Sequence, residues 1–314
     1  MKNPLKVNLI LVSMAAVGVP AFAQGQDYNV RRQIDTTVRL ERNGTVDLSL
    51  ISGKITVIGW DRSDVKVSAS IESGMLRFDA NSSRVTLSVD RSERDGRYGH
   101  HNVGDARYEV SVPRGAKLML EAVSGDITAS GSQGEIEATS VSGDVSVSNG
   151  AREVNVEAVS GSVRAVDVSG NLRAESVSGD VRAQDVSGNV EATSVSGSIR
   201  LLGIKSRDIR TETVSGDILY TGNIDPTGKY SYESHSGTIR LNIPSASGAQ
   251  VSVETFSGDI STDFAARMPP NSRRGNGHFE FTIGDGKARI TAQTFSGRIV
   301  INSDSGSTTR RDDE

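Results

Sequence analysis

Three arginines recur at one fixed interval: Arg164, Arg182 and Arg200 stand 18 residues apart. Guanidinium groups repeated in this way make a row of planar donors suited to a polyanion, such as lipid phosphate or an acidic glycan. Their next neighbours on the same face, Val166, Gln184 and Leu202, carry no charge to neutralise them, so this row is the candidate anionic-ligand site. The plainer reading is a solvated face relieved by Asp167, Asp180 and Asp185 nearby. Acid–base or calcium chemistry would instead need converging carboxylates. Asp126, Asp144, Asp180, Asp217 and Asp259 each follow a glycine, but Ser162, Ser198, Thr238 and Arg298 fill the same position elsewhere. The paired-glycine motif of calcium-binding nonapeptide repeats is missing, and these aspartates read as turn formers. His100, His101, His235 and His278 show no metal-ligand spacing beyond the adjacent pair. No catalytic residue, metal site or cofactor is therefore expected.

The arginine interval is one instance of a wider rhythm. Ser-Gly-x-(Ile/Val) occurs eleven times, and Gly125, Gly143, Gly161, Gly179 and Gly197 return every 18 residues, with half-period echoes at Gly134, Gly170 and Gly188. Such self-similarity predicts an all-β, single-domain parallel β-solenoid with coils of about 18 residues, each stacked on its neighbours because none can bury its apolar side alone. Aligned on the motif glycine, three columns read as core. Two residues before it stand Ile51, Val123, Val141, Val159, Val177, Val195, Val214, His235, Phe256 and Phe295. Two after it stand Ile55, Ile127, Val145, Val163, Val181, Ile199, Ile218, Ile239, Ile260 and Ile299, and four after it a column running from Val57 through Ala165 and Tyr220 to Ile301. The middle coils then enclose a narrow Val/Ala core, and the C-terminal coils a wider one holding Tyr220, Phe256 and Phe295. His235 is expected in that core as a neutral, hydrogen-bonded side chain. Glycine should permit the corner turn, and the corner serines Ser142, Ser160, Ser178 and Ser196 should bond corner backbone groups.

Residues 1–23 read as a signal peptide, with Lys2 and Lys6, an apolar run and Ala21-Phe22-Ala23 as a cleavage site. Without it the formal charge is −6, from 33 basic and 39 acidic residues, which disfavours nucleic acid as a partner. No later run is long enough for a membrane helix, and the absence of cysteine excludes a disulfide framework. Residues 24–121 hold alternating strand patterns at 45–50, 54–60, 64–71, 84–89, 107–112 and 117–121, read as an N-terminal β cap continuous with the solenoid; residues 91–105 read as a loop. The repeats occupy 122–302, with no proline between Pro113 and Pro226, as expected where each backbone N–H is needed between coils. Residues 264–276, with Pro269-Pro270 and Arg273-Arg274, read as an excursion loop, and 303–314 as a disordered tail.

Several segments resemble a family of exported bacterial β-strand-repeat proteins of unknown function, often labelled "putative adhesin". They are Ile55-Thr56-Val57-Ile58-Gly59-Trp60, the Val-Ser-Gly-Asp/Ser-Val/Ile copies, Tyr230-Ser231-Tyr232-Glu233-Ser234-His235-Ser236-Gly237 leading into Leu241-Asn242-Ile243-Pro244, and Gly284-Asp285-Gly286. The resemblance implies a β-solenoid of the cell envelope and brings no catalytic residues. The expected function is a non-catalytic, envelope-associated scaffold or adhesin-like binding module for a glycan, lipid or protein, periplasmic or at the cell surface. The alternative is a periplasmic envelope-stress sensor or regulator that binds a membrane partner; a polysaccharide-acting enzyme is disfavoured because no acid–base constellation is visible.

Overall fold

The computed structural model describes residues 29–90, 103–264 and 277–304. The 18-residue unit folds as one coil of two strands. Val163–Val168 begins two residues after its motif glycine, and Asn171–Ser176 follows across a second corner. Each pairs in parallel with its equivalent one coil on, Val163 opposite Val181 and Leu172 opposite Val190. Two parallel sheets thus face one another across a thin core, as the periodicity predicts. The first runs through Val145–Ser148, Val163–Val168, Val181–Val186, Ile199–Ile204, Ile218–Gly222 and Ile239–Pro244. The second runs through Ile136–Ser140, Glu153–Ala158, Asn171–Ser176, Val190–Ser194, Asp208–Ser215 and Lys229–Ser236.

The Ser-Gly corner depends on close approach between rungs. A Cβ on Gly179 would stand 2.1 Å from the Gly161 carbonyl oxygen, and one on Gly197 2.0 Å from that of Gly179. Neither glycine has a positive φ, so lack of space, not turn conformation, demands glycine there. Left-handed backbone appears at the other corner, six residues after the motif glycine, where Asn149, Asp167 and Asp185 have φ of 54–55° and Gly131 and Gly203 have 71° and 66°. Gly, Asn and Asp are the residues that tolerate this region.

The expected serine ladder is displaced. Ser142, Ser160, Ser178 and Ser196 are exposed. The hydroxyls that bond the corner lie two residues earlier and point inward: Ser140 Oγ donates to Gly125 O (2.9 Å), Ser176 to Gly161 O (2.9 Å) and Ser194 to Gly179 O (3.1 Å). Thr213 and Ser234 repeat the bond, whereas Thr255 and Thr294, equivalent by sequence, have no partner for their buried Oγ1.

The columns two and four residues after the glycine are buried as expected, from Ile55 and Val57 through Val163 and Ala165 to Ile299 and Ile301. Ile260 and Thr262, on the last rung, are only partly buried. The column two before the glycine is not core. Val123, Val141, Val214, Phe256 and Phe295 are exposed, Ile51, Val159, Val177 and Val195 are half-buried, and His235 is exposed, its ring stacked on Phe295. The C-terminal core does widen, but around Tyr220, Tyr230 and Tyr232, not around Phe256 and Phe295. Tyr220 Oη donates to Asn223 O (2.8 Å) and Tyr230 Oη to Ser206 O (2.9 Å).

Both ends depart from simple coil order. Thr45–Trp60 runs through its Ser-Gly corner and pairs in parallel with Lys117–Ser130. On its other side Arg84–Asp90 and Ala106–Pro113 extend the two sheets, and antiparallel Asp64–Ile71, Gln33–Arg39, Met75–Ala80 and Asn29–Arg31 complete that end. At the other end Ala249–Thr262 turns back through antiparallel Gly277–Ile283, and Ala288–Asp304 then inserts between Ala249–Thr262 and the pair Lys229–Ser236 and Ile239–Pro244. The rung order is therefore Gly237, Gly297, Gly258. The signal-peptide reading, residues 91–102 of the loop, residues 265–276 of the excursion and residues 305–314 of the tail lie outside the described residues.

Candidate arginine ladder

Sheet register brings the three arginines together. Arg164 lies opposite Arg182, and Arg182 opposite Arg200, on consecutive rungs of the first sheet's outer face. The spacing of adjacent strands puts neighbouring rungs about 4.8 Å apart. The row continues through Leu219 to Arg240, an exposed member that the 18-residue spacing hides because the coils lengthen beyond Gly216.

The three are not equivalent. Arg200 is paired, its Nη1 donating to Asp180 Oδ2 at 2.7 Å, which corrects the expectation of three unpaired guanidinium groups. Asp180 also accepts the Ser198 backbone N–H (2.9 Å). Burial alone would raise its carboxyl, but the Arg200 and Ser198 hydrogen bonds and the Arg200 charge together hold it below the usual range. Arg164 is exposed and Arg182 half-buried, and among the described residues neither has an acidic partner. Arg182 Nε is buried without an acceptor, since its neighbours in the row are cations. Asp167 and Asp185 serve the left-handed corner instead of the arginines.

Three of the remaining corner carboxylates bond backbone, as turn formers should, while Asp259 instead faces Arg298 at 3.6 Å. Asp126 Oδ1 accepts from Asp144 N (3.1 Å), Asp144 Oδ1 from Ser162 N (2.8 Å) and Asp217 Oδ1 from Thr238 N (2.7 Å), so each joins one rung to the next. Among the described residues no group of three or more His, Asp or Glu is placed to hold a metal ion. His278 is exposed beside Glu280, and His100 and His101 lie outside the described residues.

The second sheet's outer face mixes charges. Arg173 pairs with Glu175 and with Glu191 (2.7 Å), and Arg210 with Glu212. A glutamate row remains, in which Glu212 lies opposite Glu233. Burial, then the Glu212 charge, pushes the Glu233 carboxyl up against weaker opposition from Arg210 and Ser231. A carboxyl raised on folding adds stability below its unfolded pKa and loses that contribution as pH rises through the folded value. Glu233→Gln is therefore expected to unfold at a higher temperature than wild type at pH 7, with the gap closing towards pH 4. Thermal unfolding across that range checks it, and a less stable variant at pH 7 contradicts it.

The repeat, the two-sheet coil and the segments quoted above agree with one family model, described as Toastrack DUF4097, which matches residues 46–302. The chain belongs to that family. Similar solved structures include "a putative cell adhesion protein" from Clostridium sporogenes ATCC 15579, at 11% identity and TM-score 0.23, over 87% of this chain and 100% of that one. Another is "a putative adhesin" from Bacteroides fragilis NCTC 9343, at 13% identity and TM-score 0.39, over 87% and 97%. A third is "putative adhesin" from Parabacteroides distasonis ATCC 8503, at 12% and 0.31, over 86% and 97%. No curated protein matches the chain. In this toastrack chain, membership of the family fixes the solenoid, while the charges that distinguish its faces come from the outward positions.

Proposed function

We propose that the protein is a non-catalytic, exported binding module of the cell envelope, adhesin-like in holding an anionic envelope polymer along the arginine ladder. The observation that carries this reading is the in-register stacking of Arg164, Arg182 and Arg200 with acidic relief only at Arg200. Like charges on adjacent rungs repel. A polymer with anionic groups spaced along its length removes that repulsion and supplies the acceptor that Arg182 Nε lacks. The corner carboxylates, held by the next rung's N–H groups, are better suited to structure than to acid–base work.

Binding of the exported chain to alginate and to phosphatidylglycerol vesicles at increasing salt tests the reading and separates glycan from lipid. Substituting serine for Arg164, Arg182 and Arg200 together should weaken the salt-sensitive binding about tenfold, taking each charge as roughly 0.5 kcal/mol. Unchanged binding of both polymers would overturn the assignment.

A further inference from the structure

A second surface runs along the outside of the Ser-Gly corner. The residues two before each motif glycine form a continuous ridge of ten rungs, apolar at every rung except His235, which at about 4.8 Å per rung is about 43 Å long. It begins with Ile51, Val123 (45% exposed) and Val141 (38%), and ends with His235, Phe295 (38%) and Phe256 (60%). Soluble proteins seldom leave a contiguous apolar strip of this length uncovered without a use for it.

The rings at the C-terminal end narrow the choice of partner. His235 and Phe295 stack at 4.9 Å and 5°, and Phe295 and Phe256 at 4.8 Å and 6°. Their faces are spent on one another, so the ridge offers solvent mainly ring edges and methyl groups. A sugar ring, which needs an open aromatic face, has only the outermost face of Phe256 to use. One flank is acidic and the other mixed. Glu121, Glu157, Glu233 and Glu254 occupy the adjacent outward column and hold no ion pair among the described residues. Across the corner Asp126, Asp144 and Asp217, each using one oxygen on a backbone N–H, share their column with Lys54 and Arg298. Burial and neighbouring carboxylates raise Glu121 and Glu233, so a cation beside either would relieve a cost already present. An anionic membrane would be repelled by the glutamate flank.

We propose that this ridge docks a basic amphipathic helix of a protein partner, its apolar stripe on the valines and phenylalanines and its Lys or Arg heads on the carboxylates to either side. Long cationic side chains can lie along the ridge and still reach the acidic columns. At 1.5 Å per residue, a helix of about 29 residues would span the whole ridge. This surface is separate from the arginine ladder, so the two readings stand or fall apart.

The probe is a labelled helix of Leu and Lys, about 29 residues long so that it reaches both ends of the ridge, with one apolar face, followed by fluorescence anisotropy against the full chain. Removal of the two apolar anchors at the C-terminal end by Phe256→Ser with Phe295→Ser should weaken binding at least about tenfold. Val123→Ser with Val141→Ser should weaken it at the other end, and Glu233→Gln with Glu254→Gln should lower both affinity and salt dependence. These side chains are exposed or at the surface, so thermal unfolding no lower than wild type keeps the comparison valid. The serine variant of the arginine ladder should bind the helix undiminished. A scrambled peptide of the same composition binding equally well would overturn the proposal, as would ridge variants binding like wild type. Ridge substitutions that weaken binding to phosphatidylglycerol vesicles and not to the helix would assign the surface to lipid instead.

Discussion

Replacing Gly179 by alanine is expected to destabilise the protein by about 3 kcal/mol, the upper part of the range for a group forced into filled space. The added Cβ would lie 2.1 Å from the Gly161 carbonyl oxygen and 2.6 Å from its carbon, and also 3.0 Å from Ser176 Oγ. The first two belong to the backbone of the preceding rung, so no rotamer change relieves them. The rungs must part, and Ser176 Oγ then loses its bond to the same Gly161 carbonyl. In a stack where each coil touches only its neighbours, such a break divides both sheets at one interface. Ser178→Ala, one residue earlier on the exposed side of the corner, should change stability by no more than about 0.5 kcal/mol. Urea unfolding of the two variants checks the contrast, and equal stability would contradict it.

The fold was legible because each rung repeats the same signals. Val163, Val181 and Ile199 report one buried position three times over, and the 18-residue interval predicts the observed register of Arg164, Arg182 and Arg200. The corner was misread for a physical reason. Alternation by two was carried across the Ser-Gly turn, which placed Val141 on the same side as Val145. The corner instead shifts the phase by one, because the inward Ser140 and the inward Val145 are an odd five positions apart. The second strand carried the needed signal: Val154, Val156 and Ala158, then Leu172, Ala174 and Ser176, count inward by twos and end on the small residue, not on the valine after it. Hydrophobicity favoured the valine, while a buried serine is tolerated because it bonds a glycine carbonyl. The same slip put His235, Phe256 and Phe295 into the core. The insertion of Ala288–Asp304 between earlier rungs was hidden because sequence spacing records chain order, not the order of stacking. The plainer reading counts Asp180 as relief for the arginine row but leaves its partner unassigned, because Asp180 belongs to the rung of Arg182 while its side chain reaches Arg200 on the next.

The central claim is the assignment of inside and outside at the Ser-Gly corner, since it leaves the Val/Phe ridge in solvent and fixes the faces on which the charges stand. Val145 and Val141 lie four residues apart in one coil, the first fully buried and the second 38% exposed. An aspartate at 145 would put an unpaired carboxylate in the thin core, at a cost of about 4 kcal/mol or more. An aspartate at 141 loses only the stacking of one methyl pair on the ridge, below about 1 kcal/mol. Equilibrium urea unfolding of Val145→Asp and Val141→Asp at pH 7 is the direct measurement. The expected result is a chain largely unfolded or strongly destabilised by the first substitution and close to wild type with the second. Comparable losses from both substitutions would put position 141 in the core and contradict the corner described above.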